Sequence, residues 1–159
     1  MEPTDRRLAQ LTLLTNLGKE LNSVSSLHSL CTVTTQLLLD CNNVVAIVIR
    51  PRLYGNPPPK TFYCALDTND PALKVFLLQQ DCELSSQVLH QGKQRLHYPL
   101  SKQRTTGLPA SIYSLPLRIH NRNFGTLSFF GSSPKGHLPF DEEQLRFFQT
   151  CAFQIAQTF

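Results

Sequence analysis

Ser114-Leu-Pro-Leu117 and Phe124-Gly-Thr-Leu-Ser-Phe129 are separated by a polar cluster, His120-Asn-Arg-Asn123. Two apolar segments around such a cluster predict antiparallel strands joined by a tight turn. Proline cannot donate a hydrogen bond to a strand ladder, so we expect Pro116 to lie at a sheet edge or at a bulge. The hairpin therefore predicts an antiparallel sheet in this half of the chain.

Two amphipathic helices and a buried strand are predicted upstream of the hairpin. A leucine stripe from Leu8 to Leu21 has helical spacing, and a second apolar stripe runs from Leu27 to Cys41. The run Val44-Val-Ala-Ile-Val-Ile49 is apolar on both faces, which is typical of a central strand covered on both sides. A proline-rich loop follows, and a second strand is predicted over residues 60–66.

Short helices and loops are predicted between this strand pair and the hairpin. Pro71 suits the first turn of one short helix. A second short helix, from Ser85 to His90, is predicted to end at Gly92, a residue that readily adopts the left-handed conformation. The polar stretch from Leu100 to Pro109 is predicted to be a surface loop.

The C-terminal segment predicts a long amphipathic helix. Asp141 can cap its start, and Gln144 lies three residues further on, as in a capping box. Apolar residues then recur at steps of three and four, a pattern by which two helices pack along their length: Leu145, Phe148, Ala152, Ile155 and Phe159. Because this pattern continues to Phe159 without a C-cap, we expect the natural helix to continue and the chain to be a module of a larger protein.

Taken in order, these segments resemble GAF domains. The resemblance is carried by the hairpin, by Ser85-Ser-Gln-Val-Leu-His-Gln-Gly92, and by the closing element that begins Phe140-Asp-Glu-Glu-Gln-Leu145. It implies one α+β domain over residues 1–159, with a mostly antiparallel sheet of about six strands. The terminal helices would cover one face, and short helices and loops would cover the other and enclose a pocket.

The resemblance also implies a regulatory role without catalysis. GAF domains typically lie upstream of histidine kinases, cyclic-nucleotide enzymes or enhancer-binding transcription activators. We therefore expect a cytoplasmic sensory domain that passes a signal to an output domain in the same chain. The net charge of +4 is spread over scattered basic groups, so no patch for nucleic acid or a membrane is expected. No segment approaches the ~20 apolar residues of a membrane span.

Three GAF subfamilies have a chemistry that can be recognised in the sequence. The Asn-Lys-Phe-Asp-Glu signature of cyclic-nucleotide binders is echoed only by Phe140-Asp141-Glu142, and no cysteine is followed by the histidine that is frequent in bilin binders. A thiol enzyme similar to free methionine sulfoxide reductases is a less favoured alternative, since its best candidate, Cys82, is flanked by Asp81 and Glu83. No catalytic residue and no metal site is predicted, and the sequence does not identify a cofactor.

A small-molecule pocket is expected to draw its polar groups from the strands. Small side chains on the strands leave room, and a few oriented polar groups are typical of such cavities. The candidate ligand-binding residues are Tyr63, His97, Ser111, Tyr113 and Ser128. Alternation along a strand prevents all of them from sharing one face, so they form a pool of candidates. A solid core without a cavity is the alternative.

A second function hypothesis is a ligand-free module that forms a homodimer. The stripes on the first and last helices could form a helix bundle across a two-fold axis. The predicted interface residues are Leu11, Leu14, Leu21, Phe148, Ile155 and Phe159. The alternative is that both stripes simply cover the sheet.

Overall fold

The computed structural model describes residues 3–23, 26–41, 43–51, 62–67, 70–97, 111–131 and 140–158. Its helices are α1 (Pro3–Ser23), α2 (Leu27–Leu38), α3 (Pro71–Gln91) and α4 (Glu142–Thr158). Its strands are β1 (Val44–Pro51), β2 (Tyr63–Leu66), β3 (Arg95–His97), β4 (Ser111–Ile119) and β5 (Arg122–Gly131). These elements confirm the predicted α+β class.

One antiparallel sheet contains the strands in the order β2-β1-β5-β4-β3. Strand β1 pairs with β2 on one side and β5 on the other, so the apolar run that begins at Val44 occupies an interior position, as predicted. The described residues form five strands, and the expectation was about six. The hairpin of β4 and β5 is confirmed, and the ladder shifts register between Pro116 and Arg118. The proline therefore lies at an irregularity, where a missing donor is tolerated.

The sheet is covered on both faces. On the face that we call the terminal-helix face, side chains from α1, α2 and α4 pack on alternate strand residues such as Ile47, Leu127 and Phe129. On the opposite face, which we call the α3 face, Leu77 and Leu84 pack with Phe130 of β5. The first, second and last helices thus share one face of the sheet, as the resemblance implies.

The middle of the chain differs from its prediction. Instead of two short helices, residues Pro71–Gln91 form one helix of 21 residues. Asp70 caps it, accepting hydrogen bonds from the backbone N–H groups of Ala72 and Leu73, and Gly92 ends it with φ 69. Polar Asp81 and Ser85 lie on its buried face, which interrupts the apolar pattern without breaking the helix.

The last helix begins as predicted. Asp141 Oδ1 accepts a hydrogen bond from the backbone N–H of Gln144 at 2.9 Å, the arrangement of an N-cap. Phe148 lies at the centre of an aromatic group in the terminal-helix face, stacked on Phe129 with ring centroids 3.7 Å apart. The cap and this stack fix α4 on the sheet.

Three predictions fall on residues outside the described ranges: the proline-rich loop after β1, the loop from Leu100 to Pro109 and the position of Phe159. Among the helices of the described residues, none combines the length and apolar character that a membrane crossing requires.

Candidate functional site

A buried ion pair joins the sheet to α3. Arg50, near the end of β1, donates from Nε to Asp81 Oδ2, and its Nη2 donates to the backbone carbonyl of Leu78 at 3.1 Å. The guanidinium carbon of Arg50 also lies 5.6 Å from the centroid of the Phe62 ring. The Asp81 side chain is fully buried and that of Arg50 is 20% exposed. A charged pair in this position carries a desolvation cost that apolar residues would not.

The carboxylate of Asp81 is incompletely satisfied. Its Oδ1 is buried and has no hydrogen-bond partner among the described residues. Burial raises the pKa of Asp81 above its ordinary value, and Ser128 and Arg50 oppose that rise. Leaving a buried acceptor unpaired costs about 1–3 kcal/mol. The α3 face therefore contains an acceptor that a donor group would stabilise.

Buried hydroxyl groups lie on the same face of the sheet as this ion pair. Ser128 donates to Ser114 Oγ at 2.9 Å, and both side chains are buried. Thr126 is the cross-strand partner of Arg50, and its buried Oγ1 also lacks a partner within the described part of the chain. Ser85 of α3 is buried as well. We call Arg50, Asp81, Ser114, Thr126 and Ser128 the polar cluster.

The structure divides the predicted ligand-binding residues between the two faces. Tyr63 and Tyr113 belong to the core of the terminal-helix face, whereas Ser128 lies in the polar cluster. The hydroxyl of Tyr63 lies 3.3 Å from Nδ1 of His28, and that of Tyr113 accepts a hydrogen bond of 3.0 Å from Nε2 of Gln149. Burial raises the pKa of both tyrosines. The two tyrosines therefore do not meet Ser128 in one site.

Two further candidates lie toward the β3 edge of the sheet. His97 pairs with Ile112 in the β3–β4 ladder, and its side chain is outside the described part. Ser111 is fully buried, and its Oγ has no partner among the described residues. These two positions are not brought together with the polar cluster by any described contact.

Sequence reasoning missed Arg50 and Asp81, the charged residues of the cluster. Two signals point to them. Arg50 follows the apolar run of β1 on the same alternation as Ala46 and Val48, which face α3. Asp81 lies at helical spacing between Leu77 and Leu84, inside the stripe that packs on the sheet. A charge inside each apolar pattern indicates a buried pair.

The residues predicted for the dimer interface differ in how exposed they are. Leu21, Phe148 and Ile155 are buried in the chain's own core, because the stripes of α1 and α4 pack on the sheet. Leu14 is half-buried against that core, and Leu11 is 61% exposed. Three of the predicted residues are thus unavailable to a partner, and dimerisation itself stays a prediction.

The cysteines are free thiols in mostly buried positions. Cys31 and Cys151 are buried, Cys41 and Cys64 are half-buried, and Cys82 is exposed. Burial raises the pKa of Cys31 to about 12, and burial together with Asp40 does the same for Cys41. Within the described ranges, no group of three metal-binding side chains is present.

An antiparallel sheet with helices on both faces, and a polar cluster between the sheet and one helix, defines a domain of the α+β class. The family model of the GAF domain matches residues 26–159. The chain therefore belongs to the GAF domain family, whose role is in general sensory and regulatory. No curated protein matches the sequence.

Solved structures share the fold at low sequence identity. The GAF domain of an Acinetobacter phosphoenolpyruvate-protein phosphotransferase is 16% identical over 94% of this chain and 92% of that one, with a TM-score of 0.59. The fRMsr of Staphylococcus aureus in complex with its substrate is 8% identical over 94% of each chain, with a TM-score of 0.61. The GAF domain of the Escherichia coli potassium sensor histidine kinase KdpD is 17% identical over 93% of this chain and 91% of that one, with a TM-score of 0.51.

Proposed function

We propose that this GAF domain is a sensory input domain that binds a small polar molecule at the polar cluster between the sheet and α3. The observation that carries the proposal is the buried Oδ1 of Asp81, which lacks a partner among the described residues. The hydroxyl of Thr126, the cross-strand partner of Arg50, is buried and unpaired in the same part of the chain. Buried polar groups of native proteins are normally paired, by protein, water or ligand. A molecule that donates to Asp81 would supply the missing hydrogen bond.

Binding at this cluster would be transmitted through the sheet. Arg50 contacts α3 from β1, and β1 packs on the terminal helices with Ile47 and Ile49 of its other face. A ligand changes this arrangement only through its different affinity for two states of the domain. We propose that the terminal helices pass the change to an output domain in the same chain. An output of the histidine kinase type is supported by the fold shared with KdpD, and a transcription activator is the alternative.

The proposed role is regulatory and not catalytic. The thiolate is the nucleophilic form of cysteine, and a pKa of about 12 leaves Cys31 and Cys41 protonated at neutral pH. A thiol enzyme similar to fRMsr would have to use the exposed Cys82. If substitution of Cys82 by serine abolished a methionine sulfoxide reductase activity of the chain, the regulatory proposal would be wrong.

The test is a thermal-shift screen against amino acids, amides, nucleosides and small polyols, followed by titration of any stabilising compound. We expect at least one compound to stabilise the chain, and Asp81→Asn to weaken its binding at least ten-fold because an amide nitrogen replaces one carboxylate oxygen. The matched control is Glu83→Gln, an exposed acid on the same helix. Equal weakening by both variants, or none by Asp81→Asn, would contradict the proposal.

A ligand-free dimerisation module is the second candidate function. It is favoured by three large apolar side chains on the outer helices, Leu8, Leu11 and Phe153, which are 62%, 61% and 51% exposed. Sedimentation equilibrium of the wild type and of Leu11→Glu tests it. A homodimer that the substitution dissociates would support this function, and a monomeric wild type would exclude it for the isolated domain.

A further inference from the structure

A groove of about 560 Å³ lies between α1, α2 and α4, on the terminal-helix side of the sheet. Helix α1 is attached at both ends of this groove. Leu17 and Leu21 are buried in the core, and Arg6 pairs with Asp141 at the start of α4. Volumes of 300–1,000 Å³ are typical of small-molecule sites. The groove therefore has the size of a ligand site, and it is separate from the polar cluster.

The chemistry of the groove is mixed. Its apolar wall includes Leu8, Leu13, Leu37 and Phe147. Its polar feature is the Nε of Arg6, a buried donor that has no hydrogen-bond partner among the described residues. The other side of the same guanidinium is occupied, by Asp141 and by Gln144 at 3.4 Å. This N–H group thus lacks an acceptor among the described residues, and a molecule that displaces the groove side chains covering it would supply one.

The charges around the groove restrict what that acceptor can be. Asp5 and Asp40 line the groove, and Asp141 already neutralises Arg6. An anion would be repelled by these carboxylates, and the positive charge of Arg6 is already paired with Asp141. A cationic amine has no lone pair for the Arg6 N–H. An uncharged molecule with a hydroxyl or carbonyl oxygen is not repelled by the carboxylates and can accept a hydrogen bond from Arg6.

We infer that this groove is a second binding site, for a small, uncharged and mainly apolar molecule that carries one hydrogen-bond-accepting oxygen. The inference is independent of the polar cluster, because the groove lies on the opposite face of the sheet and shares no residue with the cluster. A molecule in the groove would contact α1 and α4 together and would change how α1 lies against the domain.

The experiment titrates the whole chain with 1-octanol, octanoate and octylammonium, which share one hydrocarbon chain and differ in charge. All three are kept below their aggregation concentrations, and binding is followed by backbone amide shifts in two-dimensional NMR. We expect 1-octanol to shift amides of α1, α2 and α4 and to bind at least ten-fold more tightly than either ion. Equal binding of all three, or shifts confined to α3, would overturn the inference.

Two variants locate the site. Ala9→Trp places an indole at a position that lines the groove. The control, Ala72→Trp, places an indole at an exposed alanine of α3, away from the groove. We expect Ala9→Trp to weaken the binding of 1-octanol at least ten-fold and Ala72→Trp to leave this binding unchanged. Circular dichroism should show that both variants are folded. Arg6→Lys keeps the charge but removes Nε, and we expect a several-fold loss. The inference is wrong if Ala9→Trp and Arg6→Lys both bind 1-octanol as tightly as the wild type. It is also wrong if sedimentation shows a dimer that Ala9→Trp dissociates, because a second copy of the chain then fills the groove.

Discussion

Arg50 and Asp81 are separated by 31 residues in sequence, yet Nε of the arginine donates to Oδ2 of the aspartate beneath α3. This contact joins β1, an interior strand of the sheet, to the helix that covers one face of the sheet. The aspartate's other oxygen is buried without a partner among the described residues. The pair therefore both anchors α3 and leaves an acceptor for a ligand.

Arg50→Met leaves Asp81 buried without its ion-pair partner. We expect it to lower the free energy of unfolding at neutral pH by about 3 kcal/mol, since removing one partner of a buried pair leaves an uncompensated charge. Urea denaturation monitored by circular dichroism measures the change. The control is Arg146→Met, which removes an exposed pair with Glu142 and should cost less than about 0.5 kcal/mol. Equal losses in the two variants would show that the Arg50–Asp81 pair contributes no more than a surface pair.

The stability contributed by Asp81 should depend on pH. Burial raises the pKa of Asp81 above its ordinary value of 3.8, so the folded state binds its proton more tightly than the unfolded state. The corresponding stability is present at low pH and is lost as the pH rises through the folded-state pKa. We expect the unfolding free energy of the wild type, relative to Asp81→Asn, to fall as the pH increases from about 3.8. A difference that rises with pH would mean that Arg50 outweighs burial.

Asp141 should show the opposite pH dependence. Burial raises its pKa, but hydrogen bonds from Arg6 and from the backbone N–H of Gln144 outweigh that effect and hold the pKa below the ordinary value. Its contribution is therefore present at neutral pH and is lost as the pH falls through the folded-state pKa. Asp141→Ala should destabilise the chain by about 1 kcal/mol at pH 7. Asp141→Ser, which retains a capping oxygen, should recover part of that loss in the same urea experiment.

Local features of the fold were predictable because their causes lie within a few residues. Asp141 and Gln144 determine the start of α4, Gly92 the end of α3, and Pro116 the irregularity in β4. The length of α3 was not predicted, because Asp81 interrupts the apolar stripe on which helix assignment depends. What retains Asp81 on the buried face is Arg50, which is 31 residues away in the sequence. Local patterns place each charge on a buried face but do not show that the two residues meet.

The candidate site was predictable only in part, for a geometric reason. Polar residues on strands were identified, but their distribution between the faces depends on register. Tyr63 and Tyr113 face the terminal helices, and Ser128 faces α3. Register across β1, β4 and β5 brings Thr126 beside Arg50 and Ser114 beside Ser128, and these pairings join residues far apart in the sequence.

Cysteine reactivity gives a further prediction. Cys82 is exposed, whereas Cys31 and Cys151 are buried, and burial raises the pKa of Cys31 to about 12. In the native chain at pH 7.5, iodoacetamide should modify Cys82 first, and the buried thiols should react only on unfolding. Mass spectrometry after timed labelling measures this order, with Cys82→Ser as the control. Rapid labelling of Cys31 or Cys151 in the native chain would contradict the burial described for α2 and α4.

The claim that a ligand binds at the polar cluster is tested most directly by intermolecular NOEs from a compound that stabilises the chain. We predict NOEs from that compound to the γ-methyl of Thr126 and to the side chains of Arg50 and Ser128, all lost in Asp81→Asn and retained in Glu83→Gln. NOEs confined to the groove of α1, or an ordered water molecule held by Asp81 Oδ1 that no compound displaces, would contradict the claim.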